Sequence, residues 1–176
     1  MVSLGFAFSG MLTGGLMQAD VTVYERVFGL NHERISFWLS IYSVLTAIGG
    51  GVAGFLSDRW GAGRIYKGCI ILSGAGLVLF SLANPAATFS GILVSALGIG
   101  GLVVGNILVS AGKPNAPARS LNFLHASHGV ARLVGVILSI FVLGVYWRMS
   151  YLILGIAFLI HAVAFAGREH LSGPYY

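Results

Sequence analysis

Between Lys67 and Lys113 the chain runs for 45 residues without a charged side chain. One membrane-spanning helix needs about 20 apolar residues, so this stretch is too long for a single crossing and a turn must fall inside it. Asn84-Pro85 is the natural place for that turn. The remainder of the chain is similar in character: 57% of the residues are hydrophobic, 9% are charged, 26 are glycine and the mean hydropathy is +0.90. A soluble domain carries about 25% charged residues. The expected fold class is therefore an all-α integral membrane bundle.

The few charges that remain are informative. Net charge is +5 and the pI about 9.7, but the ten Lys and Arg are spread singly along apolar segments and make no basic stripe for a nucleic acid. They read as topology signals. The single cysteine, Cys69, excludes an internal disulfide and a cysteine metal cluster, which leaves it as a small packing residue.

Six apolar segments are expected to form helices, at about 2–23, 35–56, 66–83, 87–111, 121–146 and 149–167, followed by a short tail from 168 to 176. All belong to one membrane domain. The first segment lacks a basic n-region and a small-residue cleavage site, so it reads as a retained helix. An even number of crossings puts both ends on one side. With the N-terminus cytoplasmic, the inner segments hold Arg59, Arg64, Lys67, Lys113, Arg119 and Arg168, against Arg26, Arg34 and Arg148 outside. That bias favours cytoplasmic ends, in a plasma membrane of the bacterial inner-membrane kind. Aromatic residues near the boundaries fit the same orientation, with Trp60 and Tyr66 inside and Tyr24, Trp38, Tyr146 and Trp147 outside. Glycines four apart, at Gly10 and Gly14, Gly50 and Gly54, and Gly101 and Gly105, predict close helix contacts in lipid.

Residues 54 to 64 read Gly-Phe-Leu-Ser-Asp-Arg-Trp-Gly-Ala-Gly-Arg, a charged hairpin between two apolar segments. Gly54 is expected to let two helices approach, Asp58 to cap the following helix, and Arg59 and Arg64 to hold the turn in water. This stretch resembles the loop between the second and third helices of the major facilitator superfamily, roughly Gly-x-Leu-x-Asp-Arg-x-Gly-x-Arg-Arg. Gly54, Leu56, Asp58, Arg59, Gly61 and Arg64 match it, while Gly63 replaces a basic residue. A second stretch, Arg119 to Gly135, is similar to one found at the same place in some sugar-transporting members. Arg119, Leu121, Asn122, Leu124, His125, Gly129 and Gly135 match there, and Ala131 and Arg132 depart. Helix four has no arginine and helix five no Gly-Pro signature, which weakens an antiporter reading.

Members of this superfamily have about twelve helices in two six-helix halves related by an axis along the membrane normal, with the solute between them. The resemblance thus implies a chain equivalent to one half, most like the N-terminal half of a sugar/proton-symporter-like transporter. A second identical copy, related by a twofold axis normal to the membrane, could supply the missing face as a parallel homodimer.

Ionisable side chains near the bilayer centre cost about 2.5–3.5 kcal/mol on insertion scales and generally face a cavity or a partner. Helix five concentrates them: Asn122, His125, His128 or Gly129, and Arg132 recur at steps of three and four and define one side of the helix, expected to face inward. Arg132 lies roughly 18 Å above the inner end of its helix. Asp20, beside Gln18, is the one acid at depth on another helix, and counted depths differ by about 9 Å, a gap that a long arginine can largely close. Asp20 and Arg132 are expected to pair, directly or through Gln18; in the alternative, Asp20 sits among outer headgroups and Arg132 snorkels or meets a carbonyl. His125 and His128 fit a proton relay, a cationic anion site or a structural ring bonded to Ser127, Asn106 or a carbonyl. As a metal pair they lack a third ligand. His161 reads as a packing residue, and Asn106 on helix four as a secondary solute contact, since that helix lines the cavity in the superfamily.

Two functions follow. One is a half-size transporter moving a small solute by alternating access, with Asp20 the membrane carboxylate able to carry a proton. The other is a non-transporting subunit that docks onto a larger membrane complex. Truncation of a full-length transporter would give the same sequence. No nucleophile–base pair, phosphate loop or paired carboxylates suggest an enzyme, and no cofactor or metal is implied.

Overall fold

The computed structural model describes residues 2–11, 21–82, 84–112, 115–138 and 144–172. Eight α-helices occur among them: α1 Val2–Met11, α2 Val21–Phe28, α3 His32–Trp60, α4 Ala62–Ser81, α5 Pro85–Gly101, α6 Gly105–Gly112, α7 Pro117–Leu138 and α8 Gly144–Ser172. A single 3₁₀ turn, Leu102–Val104, joins α5 to α6, so that together they make one apolar rod. No strand occurs among the described residues. Four rods are long and apolar enough to cross a membrane: α3, α4, Pro85–Ala111 and Tyr146–Ala166. Helix α7 has the length, but Asn122, His125, His128 and Arg132 dilute its apolar character.

Local chemistry sets where the helices begin and end. Asn31 accepts from the Arg34 amide at 3.0 Å and so caps α3, whose first turn also carries Glu33. Asn84 accepts from the amides of Ala86 and Ala87, and Pro85 occupies the first helical position of α5, where a missing N–H costs nothing. The expected turn inside the uncharged run is therefore at Asn84-Pro85. Helix α2 ends on Gly29, whose φ of 61° lets the Gly29 and Leu30 amides reach back to Glu25 and Tyr24. A kink at Tyr146, φ −126° and ψ 29°, interrupts α8 near its start.

Helix α4 is the centre of the bundle. It packs most extensively on α5 and α8, and it also touches α3 and α6. Tyr66, Ile70 and Leu77 on α4 and Tyr151 and Phe158 on α8 are almost wholly buried. The α4–α5 contact is backbone against backbone: a Cβ on Gly91 would collide with the Gly76 carbonyl and with the Phe80 backbone. In lipid, association of helices depends on such close packing because apolar burial gains little there. Buried serines on these helices turn back onto their own carbonyls, Ser73 to Cys69 at 2.8 Å and Ser95 to Ile92 at 3.0 Å. Cys69 is a buried free thiol, set against Gly101.

Several expectations are corrected. Gly54 meets nothing within 4 Å; on α3 the close approaches are made by Gly49, against Leu97, and by Gly50, against Gly100. Gly14 lies outside the described residues. Asp58 does not cap α4. The cap position is Gly61, with no side-chain bond, and its φ of 86° turns the chain from α3 to α4 while its amide bonds Ser57 O at 2.9 Å. Tyr66 is not an interfacial aromatic but a buried one, donating from its hydroxyl to the Val2 carbonyl at 3.0 Å.

Tyr24, Trp38 and Trp147, by contrast, join one aromatic cluster at the end of the bundle where α3 and α5 begin and α4 stops. Trp38 stacks on Phe89 at 4.3 Å, and Phe28 meets Trp147 edge-on at 5.8 Å. Tyr146 is 60% exposed at the same end. Arg148, in the first turns of α8, donates to the Ser81 carbonyl at 3.0 Å and so satisfies a terminal carbonyl of α4.

Candidate functional site

Helix α7 stands at the edge of the bundle, packed on α1 and, less extensively, on α6. Its contact face is drawn from Leu124, Ser127, His128, Ala131 and Gly135, at steps of three and four. The two backbones nearly touch: a Cβ on Gly10 would strike the His128 carbonyl, and one on Gly135 would strike Met11. Ser127 donates to Leu124 O at 2.7 Å and reaches Ser3 O at 3.4 Å.

The expected inward stripe is therefore divided. His128 belongs to the α1 contact, half-buried, with Nδ1 3.1 Å from the Phe6 carbonyl; because a carbonyl only accepts, Nδ1 carries the proton. Asn122, His125, Gly129 and Arg132 are exposed within this chain and do not face its interior. The cause is the small, apolar side of α7: Ala131 and Gly135 let it lie flat on α1, which leaves the polar residues on the flank. His125 retains one link to the bundle, an edge-on contact with Phe6 at 6.1 Å. Rings from α7 thus bracket Phe6, with His128 at 6.4 Å.

Asn106 stands in the first turn of α6, just after the 3₁₀ break. Its Oδ1 is buried and has no hydrogen-bond partner among the described residues. Next to it, Gly105 allows Phe6, Val2 and Tyr66 to close in. The α1, α6 and α7 contacts bring Asn106, Phe6 and the two α7 histidines to one quarter of the bundle. Gln18 and Asp20 lie outside the described residues, as does the pairing of Asp20 with Arg132.

In the hairpin, Arg59 lies over the Phe55 ring at 4.6 Å. Asp58, Arg59, Trp60, Gly61 and Arg64 are all exposed. The ion pair found among the described residues is at the opposite end, His32 to Glu25 at 3.1 Å, and it is solvent-facing.

Two polar residues that sequence reading gave no functional role stand out. His161 on α8 is 2% exposed, and neither ring nitrogen has a hydrogen-bond partner among the described residues. Phe8 and Phe165 surround it, at 6.2 and 6.4 Å between ring centroids. Tyr66 lies close by across Gly5. No periodic pattern in the sequence couples these positions, because they come from three helices far apart along the chain.

The sequence profile of the Major Facilitator Superfamily matches residues 2–172. The chain belongs to that superfamily. An uncharacterized MFS-type transporter of Bacillus subtilis (strain 168), YfiU, is 28% identical over 147 residues. The alignment takes in 82% of this chain and 28% of that protein, so the chain spans well under half the length of the curated relative it matches. Membership of the superfamily makes this an integral membrane protein built from apolar helices.

Proposed function

We propose that this major facilitator chain moves a small solute by alternating access, and that the solute path lies between its α1–α6–α7 quarter and a second wall. The observation that carries the reading is the exposure of Asn122, His125 and Arg132 on α7. A guanidinium, an imidazole and an amide facing hydrocarbon together would be costly, so such groups mark a cavity or a partner. Helix α3 is also open on its outer side, with Phe37, Val44, Ile48 and Phe55 each about half exposed or more. Two helices each open on one side, one apolar and one polar along its flank, suit a boundary with another helical wall better than a surface facing only lipid.

A second copy of the chain in the same orientation is the partner we propose, closing the site about an axis along the membrane normal. Six crossings per copy, cytoplasmic ends and a bacterial-type inner membrane belong to the same reading. On the α7 flank, Arg132 and His125 suit an anionic or hydroxyl-rich solute, Asn122 and Asn106 offer amides for its polar groups, and Asp20 and Gln18 on the first crossing answer Arg132.

The test is reconstitution of the whole chain into proteoliposomes, with uptake of a panel of labelled sugars and organic anions measured under an inward proton gradient. Uptake of one class, lost in Arg132→Gln and Asp20→Asn while both variants still insert and fold, is the expected result. Detergent-corrected mass should give two copies. A single copy without uptake, or a fixed complex with unrelated membrane subunits, overturns the proposal.

A further inference from the structure

The quarter of the bundle behind the α7 stripe contains an arrangement that packing does not explain. His161 is buried among Phe8, Phe165 and Gly5 of α1, and neither ring nitrogen has a partner among the described residues. A neutral imidazole has one N–H donor and one acceptor nitrogen, and leaving buried polar atoms unpaired is costly, whereas an apolar ring of similar shape at this site would carry no such cost. A ring kept for shape alone gains nothing from its nitrogens. A hydroxyl close by belongs to Tyr66. The point where a Cβ on Gly5 would stand is in contact with Tyr66 Oη and 3.4 Å from His161 Nε2, so Gly5 is the reason that these two groups share one small space. At present the hydroxyl is committed elsewhere: it donates to the Val2 carbonyl at 3.0 Å and holds the start of α1 against α4.

We propose that Tyr66 and His161 are positioning residues for the conformational step of transport, acting as a two-position latch on the start of α1. With α1 seated, Tyr66 Oη–H donates to Val2 O and His161 has no partner among the described residues. When Val2–Met11 shifts away from α4, the carbonyl is given to water, and Tyr66 Oη–H turns across Gly5 to donate to His161 Nε2. One hydrogen bond is exchanged for another, no proton leaves the pair, and the moved state is stabilised by an acceptor already waiting. The consequence for the candidate site is direct. Helix α1 carries the Phe6 that touches His125 and His128, so movement of α1 relocates the α7 stripe. The latch rests on the alternating-access reading, but it predicts a motion that needs no solute.

Backbone hydrogen exchange over Val2–Met11, measured by mass spectrometry on the whole chain in lipid nanodiscs, tests it. In the wild-type chain these amides should exchange well ahead of those in the centre of α4. His161→Leu removes the waiting acceptor and should slow their exchange about fivefold, the factor that one hydrogen bond is worth. His161→Gln, which can still accept, should retain the wild-type rate. In a Tyr66→Phe background the hydroxyl is gone from both positions, and His161→Leu should have no further effect on the rate. Three results overturn the latch. One is equal slowing by His161→Leu with and without Tyr66; another is a lowered unfolding temperature in His161→Leu, which would mean that the ring nitrogens are already bonded in the seated state. The third needs no variant: wild-type Val2–Met11 amides that exchange only together with the α4 core. Because exchange is read without solute, failure of uptake and failure of the latch are separate outcomes.

Discussion

Helices α4 and α7 are of nearly equal length, 20 and 22 residues, yet they relate to the bundle in opposite ways. Helix α4 is packed against α3, α5, α6 and α8, its Ser73 and Ser81 hydroxyls are bonded back to its own carbonyls, and Tyr66, Ile70 and Leu77 are almost fully buried on it. Helix α7 commits one narrow side to α1 and leaves both an apolar side, with Phe123 and Val130, and a polar flank, with Asn122, His125 and Arg132, uncovered. The buried serines of α4 are satisfied within their own helix, a structural use. The polar groups on α7 are presented outward, where the proposed function uses them for recognition. On the proposed function, the difference separates a scaffold from a working surface inside one small bundle.

The contrast is broken most severely at the α4–α5 contact. A Cβ at Gly91 has no room between the Gly76 carbonyl and the Phe80 backbone, so Gly91→Leu must force the two helices apart. Overpacking a tight core costs about 1–3 kcal/mol where side chains can yield, and here the obstruction is backbone, so at least about 3 kcal/mol is expected. Thermal unfolding in mild detergent should show a large fall in midpoint or loss of folded protein. Wild-type stability in Gly91→Leu would mean that α4 is not the scaffold. A smaller change at the same junction sharpens the point. Asn84→Ala removes the acceptor for the Ala86 and Ala87 amides at the start of α5 and should cost about 1 kcal/mol, measured in the same way.

The sequence made the scaffold easier to read than the surface. The 45-residue uncharged run, Asn84-Pro85 inside it and the hairpin glycine at 61 act through local chemistry, and local chemistry is visible along the chain. Helix periodicity also placed Asn122, His125 and Arg132 on one side of α7. What it could not supply was the direction of that side, because the direction depends on which face of α7 meets α1. That choice was made by Ala131 and Gly135, small residues whose importance appears only when the second backbone is present. Gly54 failed as a contact residue for the same reason. A glycine marks a place where another chain can come close, and only the fold shows whether one does. Tyr66 and His161 were illegible in a further sense, since their relation passes through Gly5 on a third helix.

The gentlest substitution is the most discriminating one for the comparison. Gly129 on α7 has nothing within 4 Å of its Cβ position, so within the chain Gly129→Leu meets no obstacle and should leave the unfolding temperature of the isolated monomer unchanged or slightly raised, leucine being the better helix former. On the outside of the bundle the same side chain would project beside His125 and Arg132, where the proposed second copy packs. Cysteine pairs introduced along the exposed flank of α7, in a chain lacking Cys69, should crosslink between copies in native membranes. Adding Gly129→Leu should weaken that crosslinking several-fold without loss of folded protein. The opposite pattern, a destabilised monomer with undiminished crosslinking, would place Gly129 in the packed interior and move the proposed working surface away from α7.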